Sequence, residues 1–336
     1  MTTFADCSIG YKQESVYGTG VTVDRFVEFN SEGLDFTPNR QVRKGMRVGR
    51  RTAISARKIT TTKQSGGPVE IDLMTKGLGT LLQGAFGSGV STLVSGSTYQ
   101  QVFTFADTLP SFTVQKGVPR VGGTVDPYTY LGMMVDSFTI SMPSDDAATL
   151  SVEWDGRDMT TGTAYAAPSY VSSPNVYQWA HAAFTYGGTV TAPTATALAT
   201  GGTAAPDIRD LEITVNNNLN KERWNGGLAG LKDKPTVGLR EITGKFTAEY
   251  AARGYIDDFA ADTERALVAT LTSGEALSTG FATFQVVLPA IKLDGPGAVV
   301  ANDGDLITVE HTFTAYDNLT AAQIAYLVLR TADTAL

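Results

Sequence analysis

Apolar and polar residues alternate along most of this chain, and the alternation predicts strands. In "TLSVEWDG" (149–156) Leu150, Val152 and Trp154 share one face, opposed by Ser151, Glu153 and Asp155. "LEITV" (211–215) sets Leu211, Ile213 and Val215 against Glu212 and Thr214. "EITGKFTAEYA" places Ile242, Phe246, Ala248 and Tyr250 opposite Thr243, Lys245, Thr247 and Glu249. Near the end, "DLITVEHTFTAYD" lines up Ile307, Val309, His311 and Phe313. "FATFQVVLPAIKLDG" is a further strand, in which Pro289 marks an edge or a bulge. Strands with one buried and one wet face suit an antiparallel sandwich or barrel.

Three segments break the period and predict helices. "IDLMTKGLGTLLQGAFG" spaces Met74, Leu78, Leu81, Leu82 and Ala85 at three and four residues and closes on Gly87. "IDDFAADTERALVATLTSG" offers an Asp cap at 257 or 258, acids in the first turn and Gly274 as its stop. A last helix opens on the capping-box pattern "TAAQ" (320–323), with Ile324, Leu327 and Val328 as its stripe. The fold class is therefore α+β, mostly β, a sandwich or barrel with short packed helices.

The halves echo each other. "PVEIDLMTKGLGTLLQGAFG" and "GKFTAEYAARGYIDDFAADTERALVATLTSG" both read as a strand, then an amphipathic helix ending near Gly. The expected organisation is an N-terminal half, 1–157, a connecting region rich in Ala, Thr, Gly and Pro, 158–206, and a C-terminal half, 207–336. Within the connector, Tyr177, Trp179, Phe184 and Tyr186 imply that its middle is packed.

Composition narrows the chemistry. A chain of 336 residues buries roughly three quarters of its unfolded surface, enough for a real core. One cysteine, Cys7, forms no internal disulfide and no thiolate cluster, and two histidines make no multi-His metal site. "MTTFADCSIGYKQ" lacks the pattern of a secretory signal, and no apolar run reaches the 18 or so residues of a membrane helix. The expectation is a soluble protein made in a reducing cytosol.

Candidate sites fall away one by one. Gly77, Gly79 and Gly84 miss the dinucleotide spacing, and Ala85 stands where a phosphate loop needs Lys. His311 sits in register with apolar strand residues, His181 has no motif around it, and no "GxSxG" elbow is present. "DGRD" (155–158) and "NDGD" (302–305) read as tight turns, not calcium loops. Cys7 has no basic neighbour to activate it. No catalytic residue, cofactor or metal is expected.

One stretch stands out. Residues 39–68, "NRQVRKGMRVGRRTAISARKITTTKQSGGP", hold nine basic side chains and no carboxylate, in a chain of net charge −8. Setting those nine aside leaves 17 Lys and Arg against 34 Asp and Glu, a balance of −17. A body so acidic repels a polyanion at long range. A nucleic-acid grip would want stacking aromatics, and none occurs between Phe36 and Phe86. A disordered tail would lack Val42, Met46, Val48, Ile54 and Ile59. The remaining reading is an arm on the acidic surface of another copy, with Arg40, Arg43, Lys44, Arg47, Arg50, Arg51, Arg57 and Lys58 as inter-subunit contacts. Two rival functions are a single-stranded nucleic-acid binding module using this arm and a glycan-binding adhesion sandwich using the aromatics of 177–186.

"SVYGTGVTVDRFVEFNSEGLDFTPNRQVRKGMRVGR" resembles the opening of the tail tube proteins of long-tailed, non-contractile bacteriophages. The resemblance continues through "GGPVEIDLMTKGLGTLLQGAFG", "YLGMMVDSFTISMPSDDAATLSVEWDG" and "DIRDLEITVNNNLNKERW", in that order and spread over most of the chain. It implies a structural virion protein without catalytic residues. Such proteins form hexameric rings that stack into a hollow tube, each subunit lending strands to a barrel around the lumen and arms to neighbouring rings. The partners implied are other copies, a tape-measure protein, the tail tip and tail terminator proteins, and viral DNA in transit without specific binding. No membrane is involved, and the implied location is the phage tail after synthesis in the bacterial host cytoplasm.

Overall fold

Leu150, Val152 and Trp154 are buried, as are Leu211, Ile213 and Val215, so the alternation does turn these strands toward one core. The computed structural model describes residues 3–299 and 306–336. Twelve strands carry its architecture. The first six are β1 (Ser8–Gln13), β2 (Asp35–Val42), β3 (Lys58–Asp72), β4 (Phe112–Pro119), β5 (Val125–Met142) and β6 (Thr149–Gly156). The next six are β7 (Ala182–Tyr186), β8 (Ile208–Asn216), β9 (Glu241–Glu249), β10 (Arg265–Ala276), β11 (Phe281–Gly295) and β12 (Thr308–Ala315). All the pairings among them are antiparallel.

One continuous run, β2–β3–β6–β5–β8–β9–β12–β11, crosses both halves of the chain. The sheet does not close into a barrel within one chain. A hairpin, Gly87–Ser95 with Thr98–Phe105, lies against the late strand Tyr326–Thr331, which pairs in turn with β11. The core unites both halves: Ile71, Phe138, Leu150 and Trp154 belong to the same cluster as Leu211, Phe246, Leu288 and Phe313.

Two helices are short. α1 (Gly79–Phe86) ends on Gly87, whose φ of 93° supplies the left-handed cap that a side chain would oppose. Eight residues are too few to hold a helix alone in water. Burial of Leu81, Leu82, Ala85 and Phe86 holds α1, with the Phe86 ring 5.2 Å from that of Phe138 on β5. α2 (Gly254–Ala260) sets Tyr255 against Phe246 on β9 at 5.3 Å.

Three expectations are corrected. The helix expected to run to Gly274 stops at Ala260, and Asp262 takes a left-handed φ of 51°. The segment beyond it is β10, which lies between β7 and β11. Leu267, Val268, Ala269 and Leu271 are buried on both faces, and a strand covered on both sides loses its alternation and imitates a helix. The last helix is also absent: Tyr326–Thr331 is a strand. Its "capping box" is an Asx turn, with Asn318 Oδ1 accepting from the amides of Thr320 (3.1 Å) and Ala321 (3.0 Å). "DGRD" is no reversal. Arg157 N donates to Leu131 O at 2.9 Å, and the short strand Asp158–Thr160 continues alongside β5 after β6.

Other readings hold. Pairing of β10 with β11 shifts between Leu288 and Ile291, so Pro289 lies at a bulge. Tyr177 and Phe184 are buried, and Trp179 and Tyr186 pack on the core. "NDGD" at 302–305 lies outside the described residues.

Candidate assembly surface

The basic stretch is a hairpin that leaves the body. β2 and β3 pair from Asp35↔Gly66 out to Val42↔Lys58, and Arg43 N still donates to Arg57 O at 3.0 Å. The tip turns at Arg47–Arg50. Arg40, Arg43, Lys44, Arg47, Arg50, Arg51, Arg57 and Lys58 are all exposed, and among the described residues none of them forms an ion pair. Met46 and Val48 at the tip are fully exposed as well. Apolar side chains among these cations on an ordered hairpin form a surface without a partner among the described residues.

The root of the hairpin is fixed by the loop 217–240. Lys63 N donates to Gly230 O at 2.9 Å, and Trp224 Nε1 donates to Lys63 O at 3.3 Å. That loop is anchored by Lys232, fully buried, whose Nζ lies 2.5 Å from Asp155 Oδ1. Burial pushes the Asp155 carboxyl up, and the neighbouring Lys232 ammonium pulls it back only in part. Sequence reading missed this pair, because nothing in the spacing of residues 155 and 232 announces it.

The other face of the central sheet is polar. It presents Ser137, Thr139 and Ser141 from β5, Thr214 from β8, Thr243 and Thr247 from β9, and Thr312 and Thr314 from β12, each beside an inward apolar neighbour. Thr139 and Thr214 share a hydroxyl hydrogen bond of 2.9 Å across the β5–β8 seam. Charges on this face are mostly acidic: Glu70, Asp72, Glu153, Asp210, Glu212, Glu241, Glu249 and Glu310 against Lys245 and Lys292.

The residues weighed as chemistry have structural surroundings. His311 is buried between Phe246 (5.3 Å) and Tyr255 (5.0 Å), and that burial lowers its pKa below the ordinary 6.5. His181 closes a one-turn helix, Trp179–His181. Gly79 and Gly84 are buried, Gly84 against the Phe112 ring. Burial and the nearby Glu32 raise the Cys7 thiol, the reverse of what activates a nucleophile. Glu14 is buried and accepts from Gly18 N, Ser111 Oγ, Thr113 Oγ1 and Gly132 N at 2.7–3.1 Å, which ties β1 to β4 and β5. Two neighbouring grooves meet at Arg265, whose guanidinium is held by both Asp258 oxygens at 2.6 and 2.9 Å.

A sheet spanning both halves of the chain thus carries a hydroxyl-rich wet face and a projecting basic hairpin. The chain belongs to the phage tail tube protein family, whose family model matches residues 5–315. The family is structural, and its members are components of the virion tail. No curated protein matches the chain.

Proposed function

We propose that copies of this chain close into rings of six tube units, which stack into the hollow tail tube through which viral DNA passes. The observation that carries the reading is the polar face of the continuous sheet β3–β6–β5–β8–β9–β12. Placed around a lumen, it offers DNA hydroxyls and a clear excess of carboxylates. Such a wall lets a polyanion slide, since each Lys or Arg contact would hold a phosphate and release a counterion. Ring closure also pairs the open edges of the sheet, which would otherwise invite uncontrolled association.

In this reading the basic hairpin reaches a neighbouring copy, in the same ring or the next, and lays Arg40 to Lys58 against its carboxylates. Its partners are other copies, with a tape-measure protein inside the growing tube and the tip and terminator proteins at the ends. Negative-stain microscopy at rising protein concentration tests this: hollow tubes or rings are expected. A chain that sediments as a monomer at high concentration overturns it.

A further inference from the structure

The two halves of the chain are built alike, strand for strand. Their orders are β1–β4–β5–β6–β3–β2 and β7–β10–β11–β12–β9–β8, the same permutation in each. α1 follows β3 as α2 follows β9. The main addition in the first half is the hairpin 87–105.

The agreement reaches single residues. Thr149 of β6 faces Asp72 of β3, and Thr308 of β12 faces Glu249 of β9. Counting from those anchors, Trp154 faces Gly67 and Phe313 faces Gly244, an aromatic opposite a glycine both times. The long strands even share a defect. Pairing of β5 with β6 skips Asp136, between Val135 and Ser137; pairing of β11 with β12 skips Asp294, between Leu293 and Gly295. A bulge is a specified feature, and a slip of one residue would turn every side chain over. Two unrelated half-folds would not share both.

The joint between the halves therefore shows how one unit receives the next. β8 pairs with β5 along Ser137–Met142. The chain beyond β8 then closes on the bulge. Asn217 N donates to Asp136 O (2.8 Å), Leu219 N to Asp136 Oδ1 (3.3 Å), and Lys221 Nζ lies 2.5 Å from Oδ2. Asp136 is buried as a result.

The same places in the second unit stand open among the described residues. The pairing of β11 with β10 ends at Ile291, and Asp294 is exposed, bound only by Thr314 Oγ1 at 2.7 Å. At the other end of the chain, β2 and the two-residue strand Ser31–Glu32 pair with β3 alone. Their outer edge corresponds to the edge by which β8 docks. Thr37 faces Gln64 as Asn216 faces Glu241, so the position matching Lys221 is Val42, between Arg40 and Arg43.

The geometry points to a head-to-tail joint between copies that repeats the internal one. Thr37 of one copy meets Gly295 of the next as Asn216 meets Ser137, and Asp294 takes a guanidinium from Arg40 or Arg43. Each chain is thus two tube units in tandem, the second beginning at β7 inside the connecting region. This rests on the ring reading above, and it makes a ring of six units out of three chains. Such a heterologous joint closes when its rotation is a third of a turn.

Averaged cryo-electron images of rings or tubes, with chains counted by native mass spectrometry, test the inference. Half as many chains as units are expected, three for six; six chains per six-unit ring would overturn it while leaving the tube intact. Failure of the wild type to assemble would sink the ring reading and this joint with it. Asp294→Arg, at an exposed site, is expected to stay folded and lose assembly at least tenfold. Adding Arg40→Glu and Arg43→Glu is expected to restore it. Wild-type assembly by Asp294→Arg alone would reject the joint.

Discussion

Lys232 Nζ lies 2.5 Å from Asp155 Oδ1 with the lysine shielded from solvent, and this pair holds the loop 217–240 over β6. Asp155 Oδ2 has no hydrogen-bond partner, so the carboxylate depends on the ammonium. Removing one member of a buried pair strands the other charge and costs about 3–5 kcal/mol. Lys232→Met should lower the unfolding free energy by that much, read as a lower denaturant midpoint, and loosen the root of the basic hairpin at Lys63. Asp155→Leu added to Lys232→Met should recover part of the loss, because no charge is left buried. Equal midpoints for the single variant and the wild type would contradict the pair's role.

Gly244 on β9 faces Phe313 on β12, and a Cβ there would run into both the Phe313 ring and the Glu212 carbonyl. Gly244→Ala should destabilise by about 1–3 kcal/mol, the usual cost of overpacking. Gly254, where a Cβ meets nothing, is the control; Gly254→Ala should be neutral or slightly stabilising. Thermal unfolding of the two variants separates position from residue type.

How much of this was readable in advance follows from solvent exposure. β6, β8, β9 and β12 each have a wet face, so Leu150, Leu211, Phe246 and Phe313 declared themselves by alternation. β10 and Tyr326–Thr331 are covered on both faces, and their apolar runs carried no period to distinguish strand from helix. The basic hairpin was visible as charge because its sequence runs from Arg40 to Lys63 without a carboxylate. The bulges at Asp136 and Asp294 were not visible, since a bulge shows only as a register shift between strands far apart in sequence. Nor was Lys232, a single lysine in a polar loop until the fold brings it to Asp155.

His311 offers a pH test. Its folded pKa lies below the ordinary 6.5 because burial opposes the charged ring, with only a partial offset from Gly295 and Asp207. The unfolded chain therefore binds this proton more readily, and stability falls as pH drops below about 6.5. His311→Leu should flatten the change in urea midpoint between pH 7.5 and pH 5.5. A wild-type midpoint that does not move over that interval would show that the ring is charged at no cost.

The hairpin cations supply the last test. Arg43, Arg47 and Arg51 are exposed, and among the described residues they make no ion pair, so reversing their charge removes nothing from the monomer's own stability ledger. Arg43→Glu, Arg47→Glu and Arg51→Glu together should leave the circular dichroism spectrum and unfolding midpoint unchanged. Tube growth should stop, because an acidic hairpin would then approach an acidic body. Raised salt should weaken wild-type growth in the same direction, since the Debye length shrinks to about 3 Å at 1 M. Normal tubes from the triple variant in electron micrographs would remove the hairpin from assembly.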